Sequence, residues 1–352
     1  MALAVPTNPT AETRRGCQTA PRGAFPAQRM RKAFVTDQTP TPRDQDLPPA
    51  PRVTVPDGVQ PFHLWDKPVR GRLVRLGPLA DAVLSRHDNP DVVKKLTGQA
   101  LALTAGLATA LKFQGSFSLQ AKGDGAVPML LADCTDSGTL RGYARADADR
   151  LALLNGADAE AGALLGSGYI AFTVDQGPEM ERYQGIVALE GETLADMTGH
   201  YFESSEQLAS RVWLAAGKGE DGWRGTALIL ERVAGEGGIE PSMDEAAQDD
   251  AWNTAVTLAS TVKEEELLDD NLSSGALLHR LFHAEGLALG QPRPLSSGCR
   301  CSRARLTSVL EGFGDEDLDE MSQSGEISMT CEFCNTTFRF ARSEVRGASR
   351  QG

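Results

Sequence analysis

The sequence predicts an α+β protein, and three observations carry that reading. Alternating runs bounded by Gly and Pro turns pair into hairpins. Helical stretches fall between and after them without the regular alternation of a doubly wound fold, and four of the six cysteines gather in two tight pairs near the C-terminal end. The expected organisation is an extension over 1–57, a mixed sheet-and-helix domain over 58–236, a helical linker over 237–290, a small four-cysteine zinc domain over 291–342 and a flexible tail over 343–352.

Residues 1–57 are rich in Pro, Thr, Arg and Gln, and runs such as Thr39-Pro-Thr-Pro cannot build a packed core, so disorder is expected there. Cys17 stands alone in this stretch. Its early part is basic, but it has no Ser, and Met1 to Val5 is too short for the apolar core of a signal peptide. Order is expected from about Asp57. Residues 70–76 alternate as a strand, and 78–86 read as a short helix stopped by His87-Asp-Asn-Pro90. Asn89 is then placed to cap a long helix, with Pro90 at its first position, where a missing N–H costs nothing. That helix runs to about Lys112, and its Leu and Ala content predicts burial on more than one side.

Residues 114–122 and 127–134 flank Gly123-Asp-Gly as a hairpin, and 139–145 adds a strand. A second hairpin joins 169–175 to 183–189, a helix spans 194–202, and 211–215 and 226–233 are strands. The Gly- and acid-rich run 235–250 marks a boundary. Helices follow at 251–262, 264–269 and 274–284, and their Trp252, Leu267, Leu277, Leu281 and Phe282 form an apolar face that must cover something.

Cys299-Arg-Cys301 and Cys331-Glu-Phe-Cys334 are the strongest chemical signal. Thiolate is a preferred zinc ligand, and four thiolates close a tetrahedral shell with no position open for substrate. Cys299, Cys301, Cys331 and Cys334 are therefore expected to hold one Zn²⁺ per chain in the reduced state. Arg300, Arg303 and Arg305 surround the first pair, and cations favour the thiolate, the species that oxidants attack. Two readings stay open on spacing alone: a permanent zinc clip, or a site that answers to redox state.

A formal charge of −13 on 352 residues disfavours nucleic acid and anionic membrane as partners. No apolar run reaches transmembrane length. Paired thiols beside cations, without a secretory signal, point to a reducing compartment, with the cytoplasm expected. Cys134 falls on an apolar strand and reads as a buried small hydrophobe. His279 and His283 are spaced i, i+4 but lack a third ligand, and His63, His87 and His200 are isolated. No Ser-His-Asp, Cys-His or paired-acid constellation stands out, so no enzymatic activity is expected.

Cys299-Arg-Cys-Ser302 with Cys331-Glu-Phe-Cys334, the acidic run Asp315 to Glu320 and Met321 resemble the redox switch of the heat-shock protein 33 family, the redox-regulated holdase chaperones. Val69-Arg-Gly-Arg, Leu140-Arg-Gly-Tyr-Ala, Glu181-Arg-Tyr-Gln-Gly-Ile-Val and Leu277-Leu-His-Arg-Leu-Phe extend the resemblance over roughly 58–342. It implies a chaperone held inactive by zinc on the four cysteines, activated by their oxidation to disulfides, with unfolding client proteins as partners and a homodimer as the oxidised form. Loop-closure entropy favours pairing of sequence neighbours, Cys299 with Cys301 and Cys331 with Cys334. Two other classes compete. A zinc-ribbon interaction module with a constitutive zinc is opposed, for nucleic acid, by the acids between the pairs. A thiol–disulfide oxidoreductase lacks the expected β-α-β setting for Cys331-Glu-Phe-Cys334.

Overall fold

The computed structural model of the chain describes residues 53–154, 159–177, 180–233 and 243–346. The expectations for the stretch up to residue 52, for Cys17, for 234–242 and for 347–352 lie outside them. Strand β1 (Thr54–Leu64) pairs antiparallel with β2 (Val69–Arg75). Regular structure thus starts ahead of Asp57. Pro56, Gly58 and Pro61 give β1 little strand propensity of its own, and its neighbours impose the conformation.

Helix α1 (Gly77–Leu84) leads to α2 (Asp91–Ala108), which differs from expectation at both ends. Pro90 is its N-cap and no side chain caps it, while the Asn89 amide donates across to the Ala144 carbonyl at 3.3 Å. At the other end, the Thr109 hydroxyl bonds back to the carbonyls of Ala105 and Gly106, both at 3.0 Å, and the helix stops short of Lys112. As expected, α2 is buried almost all round.

Strands β3 (Ser116–Gly123), β4 (Met129–Thr135) and β5 (Thr139–Arg145) form a meander, followed by two short helices, α3 (Ala148–Leu153) and α4 (Ala161–Leu165), that the sequence did not announce. The hairpin β6 (Gly168–Asp175) and β7 (Tyr183–Ala188) comes next, then α5 (Leu194–Tyr201), closed at its start by a Thr193–Asp196 capping box. A second hairpin, β8 (Ser210–Gly219) and β9 (Gly222–Arg232), precedes three helices: α6 (Glu245–Ala259), α7 (Glu264–Leu268) and α8 (Ser274–Phe282). After α8 the chain returns to the sheet as β10 (Leu287–Leu289) and β11 (Arg293–Ser297). It ends in α9 (Arg303–Glu311), α10 (Asp315–Met321) and the hairpin β12 (Glu326–Thr330) with β13 (Thr337–Ala341).

Among the described residues the large sheet has 11 strands in the order β7-β6-β3-β4-β5-β11-β1-β2-β9-β8, with β10 added beside β1. Helix α2 crosses one face and touches strands on both sides of β11. The linker helices cover the opposite face of β1, β2, β8 and β9. Period-two alternation shows this in β9: Ala227 and Ile229 join the α2 core, while Leu228 and Leu230 join a second core with Trp252, Leu277, Leu278, Leu281 and Phe282. Arg75 also ties the linker to the sheet, donating to the carbonyls of Glu266, Asp269 and Leu272 at 2.6–3.0 Å. The expected apolar face of the linker is therefore packed.

Candidate metal centre

Each cysteine pair sits at an end of regular structure. Cys299 and Cys301 follow β11 after the single residue Gly298, and Ser302 caps α9, its hydroxyl accepting from the Arg305 amide at 3.2 Å. Cys301 therefore stands at the positive end of a helix, which favours a thiolate. Cys331 and Cys334 occupy the β12–β13 turn, where the Cys331 amide donates to Thr336 O at 2.9 Å and the Asn335 amide to Cys331 O at 2.8 Å. Asn335 takes the left-handed conformation that closes this knuckle (φ 56°).

The four sulfurs lie within 4.8 Å of one another, with Cys299 and Cys331 at 3.6 Å and Cys301 and Cys334 at 3.4 Å. A tetrahedron with metal–sulfur bonds of about 2.3 Å has edges of about 3.8 Å, so the donor set fits a zinc ion. Electrostatics agrees. The bond with the Cys301 thiol holds Cys299 down to about 6, and the bond with Cys299 pulls Cys334 well below the usual thiol range. Cys301 and Cys331 are pushed up, each chiefly by its bond with Cys299. A divalent ion among the sulfurs would favour the thiolate form of all four. Among the described residues this is the only His, Cys, Asp and Glu cluster of ligand geometry.

The unit around the sulfurs has a small core of its own, Leu306, Leu310, Leu318, Ile327, Phe338, Phe340 and Val345. Its contacts with the large sheet come from the knuckles themselves. The guanidinium of Arg300, between the first two cysteines, pairs with Asp133 on β4, which also meets Arg141 of β5 at 3.4 Å. All three side chains are largely buried. Phe333, between the second two cysteines, lies under the Arg141 guanidinium (4.1 Å to the ring centre) and beside Tyr143. Its carbonyl faces His87 Nε2 at 3.3 Å, and the Asn335 side-chain Nδ2 donates to Arg86 O at 2.9 Å.

Sequence reasoning placed the four cysteines but missed Asp133, Arg141 and His87 as their docking partners. One signal was present: Asp133 interrupts an apolar strand, and a charge on a buried strand needs a partner. Cys134 is fully buried as expected, and burial pushes its thiol up to about 12. The His279 and His283 rings stack at 5.4 Å, and His283 Nδ1 contacts the His279 carbonyl at 3.1 Å. No helix among the described residues is long and apolar enough to cross a membrane.

The family model described as Hsp33 protein matches residues 57–341. The 33 kDa chaperonin of Caulobacter vibrioides (strain NA1000 / CB15N) is 41% identical over 290 residues, 80% of this chain and 94% of its own. That of Pseudomonas aeruginosa (strain LESB58) is 39% identical over 302 residues, 84% of this chain and 97% of its own. The crystal structure of the 33 kDa chaperonin (heat shock protein 33 homolog) from Thermotoga maritima aligns with a TM-score of 0.68 at 19% identity, covering 82% of this chain and 96% of that one, a likeness of fold.

Proposed function

The chain belongs to the Hsp33 family, and from that premise we propose that it is a holdase chaperone whose client binding is controlled by the redox state of Cys299, Cys301, Cys331 and Cys334. The observation that carries the redox part is the convergence of four sulfurs on a unit whose own core is small. Bound zinc would keep all four as thiolates and contribute on the order of 10–16 kcal/mol of apparent binding free energy, most of it folding free energy.

The chain's own part follows from the thiols. Two thiolates give two electrons to a peroxide and join as a disulfide, while the peroxide takes up two protons and leaves as two waters. Sulfurs joined in this way no longer act as thiolate ligands. The tail then has only its small core to hold it, and a unit of this size rarely folds on that alone. Neighbour pairing, Cys299–Cys301 and Cys331–Cys334, is favoured once the tail unfolds, because the nearest thiol to each cysteine in an open chain is its sequence neighbour. The reading includes unfolding proteins as clients, a homodimer as the oxidised form, and the cytoplasm as the compartment that keeps the thiols reduced.

Light scattering from a heat-unfolded test protein, with zinc content measured in parallel, tests the reading. The reduced chain is expected to suppress aggregation little and the peroxide-treated chain strongly, with about one zinc released per chain. A chain cut before Gly298 is expected to suppress it without oxidant. Zinc release with no rise in suppression would leave the site a structural clip.

A further inference from the structure

We propose that β11 is a removable clasp, and that the slot it vacates between β5 and β1 is where an extended segment of an unfolding protein binds by strand addition. This deepens the holdase reading and rests on it.

The topology is the first observation. Among the described residues, the path of strand pairing from the β7-β6-β3-β4-β5 half of the sheet to the β1-β2-β9-β8 half runs only through β11. That five-residue strand comes from beyond the linker and ends two residues before Cys299. Helix α2 packs on strands of both halves, so the core stays together if β11 leaves.

The second observation is how lightly β11 is held. Its sequence, Arg293-Pro-Leu-Ser-Ser297, places a proline without an N–H in the interior of a sheet, a position proline normally avoids. Its parallel pairing with β5 spans two residue pairs, Ser296 with Thr139 and Ser297 with Leu140. Its register with β1 slips between Val55 and Val59. Beyond its end, the Gly298 amide donates to the Leu140 carbonyl at 3.1 Å. An unfolded tail would remove the anchor on that end and leave β5 and β1 as two facing unpaired edges, a template for any extended chain.

The present occupant shows what fits. Ser296 donates to Gly138 O, and Ser297 to Val53 O, both at 2.9 Å, and backbone bonds of this kind read no sequence. One side chain enters a socket: Leu295, 1% exposed, fills space that a Cβ on Gly58 would take, 2.7 Å from Leu295 Cγ. Its neighbour two residues on, Ser297, is fully buried. The slot therefore suits an extended polypeptide with an aliphatic residue followed two positions later by a small one, a pattern common enough for many unfolded proteins to supply.

Hydrogen exchange on the full chain tests this, with reduced and alkylated lactalbumin as the probe. Oxidation should strip protection from 293–297, 139–142 and 54–59. The probe should restore it to 139–142 and 54–59 while 293–297 stays exchanged. A second arm locks the strand. The Thr139 and Ser296 hydroxyls are 3.4 Å apart, so Thr139→Cys with Ser296→Cys places two thiols to bond on oxidation. That variant should release zinc like the parent but bind the probe at least about tenfold more weakly. Probe binding by an oxidised chain whose 54–59 and 139–142 edges stay protected, or undiminished binding by the locked variant, would overturn the slot and leave the holdase reading standing. No probe binding by the oxidised parent would sink both.

Discussion

The linker helices α6–α8 and the cysteine tail rest on the same sheet and are held there by opposite means. The linker brings Trp252, Leu277, Leu278, Leu281 and Phe282 onto β2 and β9, a continuous apolar interface reinforced by Arg75. Each such side chain contributes about 1.5–3 kcal/mol on burial. The tail keeps its apolar residues for its own core and touches β4 and β5 through the Arg300–Asp133 pair and the Arg141–Phe333 stack, and the α1–α2 connection through two hydrogen bonds at Arg86 and His87. Apolar area is insensitive to oxidants, whereas the contacts of the tail depend on knuckles whose shape the four sulfurs set. One cover is held by apolar area, the other by a few polar and aromatic contacts.

That contrast can be broken at its strongest point first. Cys334→Ser removes a ligand and should abolish stoichiometric zinc binding, a loss on the order of 10 kcal/mol from the tail, with α6–α8 still protected in hydrogen exchange. Exposure of α6–α8 in this variant would mean that the two covers are one unit. Asp133→Ala leaves Arg300 and Arg141 without their shared carboxylate and should weaken docking by about 3–5 kcal/mol. Zinc content should stay full while less peroxide is needed for activation; an unchanged peroxide threshold would show that docking does not restrain the switch. Leu281→Ala opens a cavity under the linker and should cost about 2–5 kcal/mol in urea unfolding, with the zinc content and peroxide threshold of the parent. A shifted threshold there would couple linker to switch.

The same contrast decides what the sequence disclosed. Elements that carry their own pattern were legible: the alternation of β2, the β3–β4 hairpin about its Gly-Asp-Gly turn, the Leu face of α8, and the two cysteine pairs. Elements held by neighbours were not. β11 has a proline and two serines, and β1 has two prolines and a glycine, so each is a strand only because others flank it. Asn89 has the right chemistry for a cap, but the β5 carbonyl at Ala144 claims its amide. Asp133 and Arg141 face each other across the β4–β5 hairpin, but Arg300 lies 167 residues beyond Asp133, and nothing local tells that it joins them.

The position of β11 also bears on how the chain folds. Its partners are far back along the chain: Ser297 bonds Val53 across 244 residues, and Ser296 meets Thr139 across 157. Contacts of such separation carry a large closure entropy and form late. During synthesis the two halves of the sheet emerge before the strand that joins them, so a new chain passes through an open form before the tail is made. Refolding from denaturant should then show a final phase that quickens with added zinc, because an ion bound by the tail would draw closure forward.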